Sequence, residues 1–228
     1  MIHPYKIYTV GDNALSVELG NTINAAIHDK VMLLYKTALA NPIAGVKDII
    51  PAYCTVTWVY DIVAVKKIAS NTSAFKYMES EVIRLLLDES ETDVNDSNAN
   101  RHIEIPVKYY TDGSFDLENL AQQKAMSVET VVKLHSERTY RVYLLGFLPG
   151  FAYMGSVDAR IEVPRLAQPR LIIPSGSVGI AGKQTGVYPV ASPGGWNIIG
   201  CTDVKLFDAE RENPILLQVG DEVKFIPV

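Results

Sequence analysis

The sequence predicts two units, an α+β unit followed by a mainly-β unit, and three observations carry the division. Up to about Leu87, strand-like runs and amphipathic helices follow one another in the order ββαββα, which gives a sheet covered by helices. From Tyr143 to Thr202, Gly and Pro recur every few residues between short apolar runs, the pattern of tight turns joining short buried strands. Between the halves, DESETDVNDSNANR is acidic and polar with almost nothing to bury, so an exposed linker is expected. The boundaries are therefore placed at residues 1–87, 88–101 and 102–228.

In the first unit, Tyr5 to Val10 and Ala14 to Leu19 read as strands joined at a hairpin corner of Gly11, Asp12 and Asn13. From Ile23 the period changes: Ile23, Ile27, Val31, Leu34 and Ala38 fall at steps of three and four, so an amphipathic helix is expected that ends before Pro42. Ile49 to Pro51 and Thr55 to Tyr60 return to β-type composition. A second helix carries Phe75, Met78, Val82 and Leu85 on one face. His28 reads as a solvated helix residue, since a lone His has no partner at metal-ligand spacing, and His3 is weaker still. Trp58, on an alternating strand, reads as core or interface.

In the second unit, Ile103, Ile105 and Val107 alternate along a half-buried strand. Asp116 is placed to cap the helix LENLAQQKA and Ser127 to cap VETVVKLHS, where Glu129 suits the positive end of the helix dipole. His135 falls in the last turn of that helix, where the dipole would favour a cationic imidazole.

Composition excludes several functions. A chain of 228 residues with 48% hydrophobic content can bury a sizeable core. The formal charge of -5 argues against a grip on phosphate backbones, so nucleic acid is not an expected partner. Cys54 and Cys201, without CxxC spacing, indicate neither a disulfide framework nor zinc, and both are expected to be buried thiols. MIHPYKIYTVGD lacks the basic and apolar regions of a leader, and no run approaches the roughly 20 apolar residues of a spanning helix. A soluble, cytoplasmic protein with no membrane partner is expected.

The chemistry-bearing residues concentrate in the punctuated stretch. Phe147, Phe151, Tyr153, Tyr188 and Trp196 lie beside Gly/Pro corners, which hold a ring as the wall of a pocket without demanding a regular ladder. Gln184 and Thr185 sit between Gly182 and Gly186 with Tyr188 next; amide, hydroxyl and phenol suit a polar pocket for an amide or carbonyl group, or serve to satisfy a turn's own backbone. Arg165 and Arg170 place two cations near one corner, either to clamp a carboxylate or as solvated surface. Gly182-Lys183-Gln184-Thr185 is not a phosphate loop, because that motif needs Gly where Ser177 stands and Ser or Thr where Gln184 stands. There is no GxGxxG, GxSxG or HExxH, so neither a nucleotide nor a metal site is expected and a self-sufficient hydrolase is not indicated.

Three segments carry a family resemblance: GFLPGFAYMG at Gly146 to Gly155, PRLAQPRLIIPSGSVGIAGKQTGVYP at Pro164 to Pro189, and SPGGWNIIGCT at Ser192 to Thr202. In this order they resemble the family of the 5-oxoprolinase B-type subunit, the allophanate hydrolase subunit 1 and the sporulation-kinase inhibitor. The resemblance implies a small α+β domain followed by a cyclophilin-like β-barrel. It also implies one component of an ATP-dependent 5-oxoprolinase, which opens 5-oxoproline to glutamate together with a homologous C-type subunit and an A-type subunit. This chain alone would bind no cofactor, ATP being used by the complex. The alternatives the family offers are a histidine-kinase inhibitor and a carboxyltransferase or allophanate hydrolase subunit. The family usually has a histidine at the place of His135, so structural and catalytic readings of it both stand. Gln184, Thr185 and His135 are the catalytic candidates; Phe151, Tyr153, Arg165, Arg170, Tyr188 and Trp196 are the substrate-binding ones. One departure is YYTDGSFDL at Tyr109 to Leu117, which has Phe115 where family members often have proline in a YGGEFGPDL-like stretch.

Overall fold

The structure, a computed structural model, describes residues 4–87, 101–110 and 112–228. His3 and the expected linker, apart from Arg101, lie outside the described residues. The chain divides into two compact units, Met1–Asn98 and Ala99–Val228. No helix among the described residues is long and apolar enough to cross a membrane.

The first unit contains β1 (Lys6–Thr9), β2 (Ala14–Glu18), α1 (Ala25–Ala40), β3 (Val46–Pro51), β4 (Thr55–Tyr60), α2 (Ile62–Ile68) and α3 (Ala74–Leu87). Its sheet is antiparallel in the order β1-β2-β4-β3. Alternation along β4 buries Val56, Trp58 and Tyr60, which pack with Val31 and Leu34 of α1 and with Met78 and Val82 of α3. Helix α1 starts later than the apolar spacing suggests. Asn24 caps it, its Oδ1 accepting from the amides of Ala26 at 2.8 Å and Ile27 at 3.3 Å, and Ile23 stays outside and exposed. The buried stripe is His28, Val31, Leu34 and Ala38, so His28 is fully buried and not solvated. Helix α2 is not expected from the sequence, because its apolar run continues the β-type run before it. The Asp61 carboxylate separates them by accepting from the amides of Val63 and Ala64.

The second unit contains β5 (His102–Tyr109), α4 (Leu117–Gln123), α5 (Val128–Ser136), β6 (Thr139–Leu145), β7 (Ala152–Gly155), a single 3-10 turn (Ala159–Ile161), β8 (Arg170–Ile173), β9 (Ser177–Ala181), β10 (Gln184–Val187), β11 (Ser192–Gly194), β12 (Asn197–Cys201) and β13 (Glu222–Pro227). Seven strands close a barrel in the order β10-β7-β6-β13-β5-β12-β9, and β8 and β11 form a separate two-stranded sheet. All neighbours in the barrel are antiparallel except β13 and β5, which run parallel with Phe225 opposite Ile105. Ile105, Val107, Val142, Met154, Val178, Ile180, Ile199 and Phe225 fill the barrel, joined by Leu117 and Leu120 of α4 and Val131 of α5. Arg101, at the end of the expected linker, is fastened to this unit: its guanidinium donates to both carboxylate oxygens of Asp221 and to the carbonyl of Leu216.

Of the two expected caps, Ser127 behaves as expected, its hydroxyl accepting from the amide of Thr130. Asp116 does not. It occupies the cap position of α4 with helical backbone angles and makes no capping bond. Its carboxylate instead receives both Arg170 Nη groups at 2.8 Å and the amide of Ile198 at 2.7 Å. A bidentate charge-assisted pair outweighs a cap worth about 1 kcal/mol. Cys54 and Cys201, expected to be buried, are half-buried free thiols.

Candidate functional site

Four consecutive barrel strands, β7-β10-β9-β12, have two differently furnished faces. Their inward residues, Ala152, Met154, Val187, Val178, Ile180 and Ile199, belong to the barrel core. On the other face lies a second apolar cluster of Phe151, Ile173, Ala181, Tyr188, Trp196 and Ile198, with Tyr153, Tyr110, Phe115 and Leu148 against it. The rings meet edge to face around Phe151: Tyr153 at 4.8 Å, Tyr188 at 5.3 Å, Trp196 at 5.4 Å and Phe147 at 5.7 Å. Gly186 makes that packing possible, because a Cβ there would come within 2.9 Å of the Ala152 carbonyl and 3.2 Å of both the Phe151 and Trp196 rings.

The position of Gly186 also orients Gln184. Side chains two apart on a strand share a face, so Gln184 leaves β10 on the aromatic side, where it is half-exposed, and Thr185 on the barrel side, where it is fully buried. Arg165 is exposed, and its charge reaches the hydroxyls of both Tyr153 and Tyr188. Burial nevertheless dominates at both phenols and pushes their pKa values up, so they remain protonated donors at neutral pH. The Tyr188 oxygen in turn accepts from the amide of Trp196.

Five sequence candidates therefore share this face, Phe151, Tyr153, Gln184, Tyr188 and Trp196, with the exposed Arg165 within electrostatic reach of its two phenols. Arg170 is turned to other work, held bidentately by Asp116 and stacked over Phe115 with 5.5 Å from guanidinium to ring centroid. Phe147 joins the set at its rim. It is 61% exposed and holds φ at 73°, a left-handed conformation that costs a non-glycine residue roughly 1–2 kcal/mol. Its place between Gly146 and Pro149 is the available signal in the sequence. A polar cleft of about 430 Å³ lined by Ser175, Thr202, Asp203, Lys205 and Asp208 lies elsewhere, and none of the candidates lines it.

His135 and Thr185 lie inside the barrel. His135 is fully buried, with Nδ1 2.7 Å from the Tyr109 hydroxyl, Nε2 2.8 Å from the Thr185 hydroxyl, and its ring stacked on Phe225 at 4.7 Å. The cationic imidazole expected from the helix dipole is not what forms. Burial pulls the pKa down to about 3, and loss of hydration outweighs a dipole worth at most about 2 kcal/mol. A consequence is measurable. In the unfolded chain the imidazole takes a proton below its ordinary value of 6.5 and in the folded chain it does not, so stability present above that pH is lost as pH falls towards 3. Stability measured by denaturation should fall by about 1.3 kcal/mol in total between pH 7 and pH 5.5, with His135→Gln flattening the dependence; an unchanged dependence in the variant would assign it to other groups.

The family model "carboxyltransferase domain, subdomain C and D" matches residues 5–217, which takes in both units. The chain belongs to that family, and within it is similar to proteins named as the B-type subunit of 5-oxoprolinase. The relative from Bacillus subtilis (strain 168) is 39% identical over 227 residues, 98% of this chain and 93% of the relative. Among solved structures, protein PH0987 of Pyrococcus horikoshii is 39% identical, with a TM-score of 0.54 and coverage of 98% and 97% of the two chains. TTHA0988 is 32% identical with a TM-score of 0.78; 95% of this chain is covered, and it spans 40% of the length of that one.

Proposed function

We propose that this chain is the B-type subunit of an ATP-dependent 5-oxoprolinase, working with a homologous C-type subunit and an A-type subunit, and that its α+β and cyclophilin-like barrel units are the two domains the sequence delimits. The observation that carries the reading is the 39% identity, along nearly the full length of both chains, to a protein named as the B-type subunit of that enzyme. The aromatic face suits the substrate. 5-Oxoproline carries a ring amide and one carboxylate: the exposed Arg165 guanidinium matches the carboxylate, the exposed Phe147 and half-buried Tyr153 rings, backed by the buried Phe151, Tyr188 and Trp196, offer a wall to the five-membered ring, and the Gln184 amide supplies a donor to the lactam oxygen. A cyclic amide is resonance-stabilised, so its opening needs activation. The chain carries no phosphate-cradling motif, and the nucleotide chemistry is assigned to the partners.

The test is reconstitution. ATP-dependent formation of glutamate is expected when the chain is combined with its A-type and C-type partners. The purified chain alone should neither turn over 5-oxoproline nor bind ATP measurably in calorimetry. Turnover by the isolated chain, free of partners, would overturn the division of labour.

A further inference from the structure

The buried polar residues of the barrel form a chain with one direction. The Thr185 hydroxyl donates its single proton to the carbonyl of Gly179 at 3.1 Å. Towards His135 it can therefore only accept, so Nε2 carries the imidazole proton. A neutral imidazole with Nε2–H has a bare Nδ1, and this accepts from the Tyr109 hydroxyl at 2.7 Å. The run is thus Tyr109 Oη–H to Nδ1, Nε2–H to Thr185 Oγ1, and Oγ1–H to the Gly179 carbonyl. It links β5, α5, β10 and β9. Tyr140 adds a second tie by donating to the carbonyl of His135 at 2.7 Å. Every side chain in it is buried, and a buried hydroxyl or imidazole costs about 1–3 kcal/mol if left without its partner. The arrangement therefore has little freedom to reverse.

We infer that Tyr109, His135 and Thr185 act as positioning residues that hold strand β10 in register, so that Gln184, one residue before Thr185 and on the opposite face, presents its amide at a set place on the aromatic face. His135 is then neither acid nor base in the reaction. The Thr185 hydroxyl, spent in both directions, does not touch substrate. This deepens the reading above and rests on it only for the catalytic arm of the test.

Nitrogen-15 spectra of histidine in the full chain at pH 7 should show His135 as the Nε2–H tautomer, and an Nδ1–H or doubly protonated ring would overturn the chain's direction. Thr185→Val, close in shape but without the hydroxyl, should speed amide hydrogen exchange over Gln184 to Val187 by about tenfold or more, with Thr185→Ser restoring protection. Unchanged exchange in Thr185→Val would overturn the positioning role. Should that variant not fold, Tyr109→Phe, which removes only the first donor, provides the same comparison. In the reconstituted complex Thr185→Val should lower kcat by about tenfold with KM nearly unchanged, and Thr185→Ser should recover it. A complex of wild-type chains that opens no 5-oxoproline would count against the proposed function alone, because the tautomer and the exchange rates are read without turnover.

Discussion

Gln184→Ala in the reconstituted complex is expected to lower kcat by about two to three powers of ten, the scale of removing one preorganised donor to a developing oxyanion. The expectation rests on where the side chain stands. It leaves β10 on the face it shares with Gly186, whose backbone lies against the Phe151 and Trp196 rings. Stability should change far less than turnover, because the strand's ladder runs through the backbone of Gln184, which the substitution leaves intact. A clear drop in melting temperature with activity per folded molecule intact would instead make Gln184 a residue that secures its own turn. The catalytic donor would then have to be sought among the Tyr153 and Tyr188 hydroxyls.

Asp116→Ala is expected to destabilise the barrel unit by about 2–4 kcal/mol. Asp116 is 6% exposed, and its loss leaves two groups without partners: the buried Ile198 amide and the inner side of the Arg170 guanidinium. Removing one partner of a fully buried ion pair costs about 3–5 kcal/mol; Arg170 keeps 30% of its side chain in solvent, which reduces the figure. A urea titration followed through amide signals of the barrel strands measures it. The double variant Asp116→Ala, Arg170→Ala should recover part of the loss, with a coupling of about 1–3 kcal/mol. A loss under about 0.5 kcal/mol in the single variant would show that the pair is a surface contact. Activity should suffer as well, because Arg170 begins β8 and Ile173 at its end lies in the aromatic cluster.

Local patterns settled much of this molecule. The alternation in Thr55–Tyr60, the Gly/Pro corners from Tyr143 to Thr202, the Ser127 cap and the apolar spacing of Met78, Val82 and Leu85 each depend on residues within a few positions of one another, and each stands where the sequence places it. The rings of Phe151, Tyr153, Tyr188 and Trp196, expected beside Gly/Pro corners, do come together, but the sequence also grouped Thr185 with Gln184 in one turn, and alternation along the strand β10 sends the two to opposite faces. What local order could not decide was phase and partnership. Spacing marks the stripe of Val31, Leu34 and Ala38 on α1 but not its width, and only packing against the sheet and α3 shows that the stripe takes in His28. Asp116 found Arg170 at a separation of 54 residues, and the parallel pairing of β13 with β5 joins strands from opposite ends of the unit. His135 shows the difference most directly. Its place in the last turn of a helix favours a proton, but the closed barrel surrounds it with Tyr109, Tyr140, Thr185 and Phe225, and the hydration it loses there decides that it stays neutral.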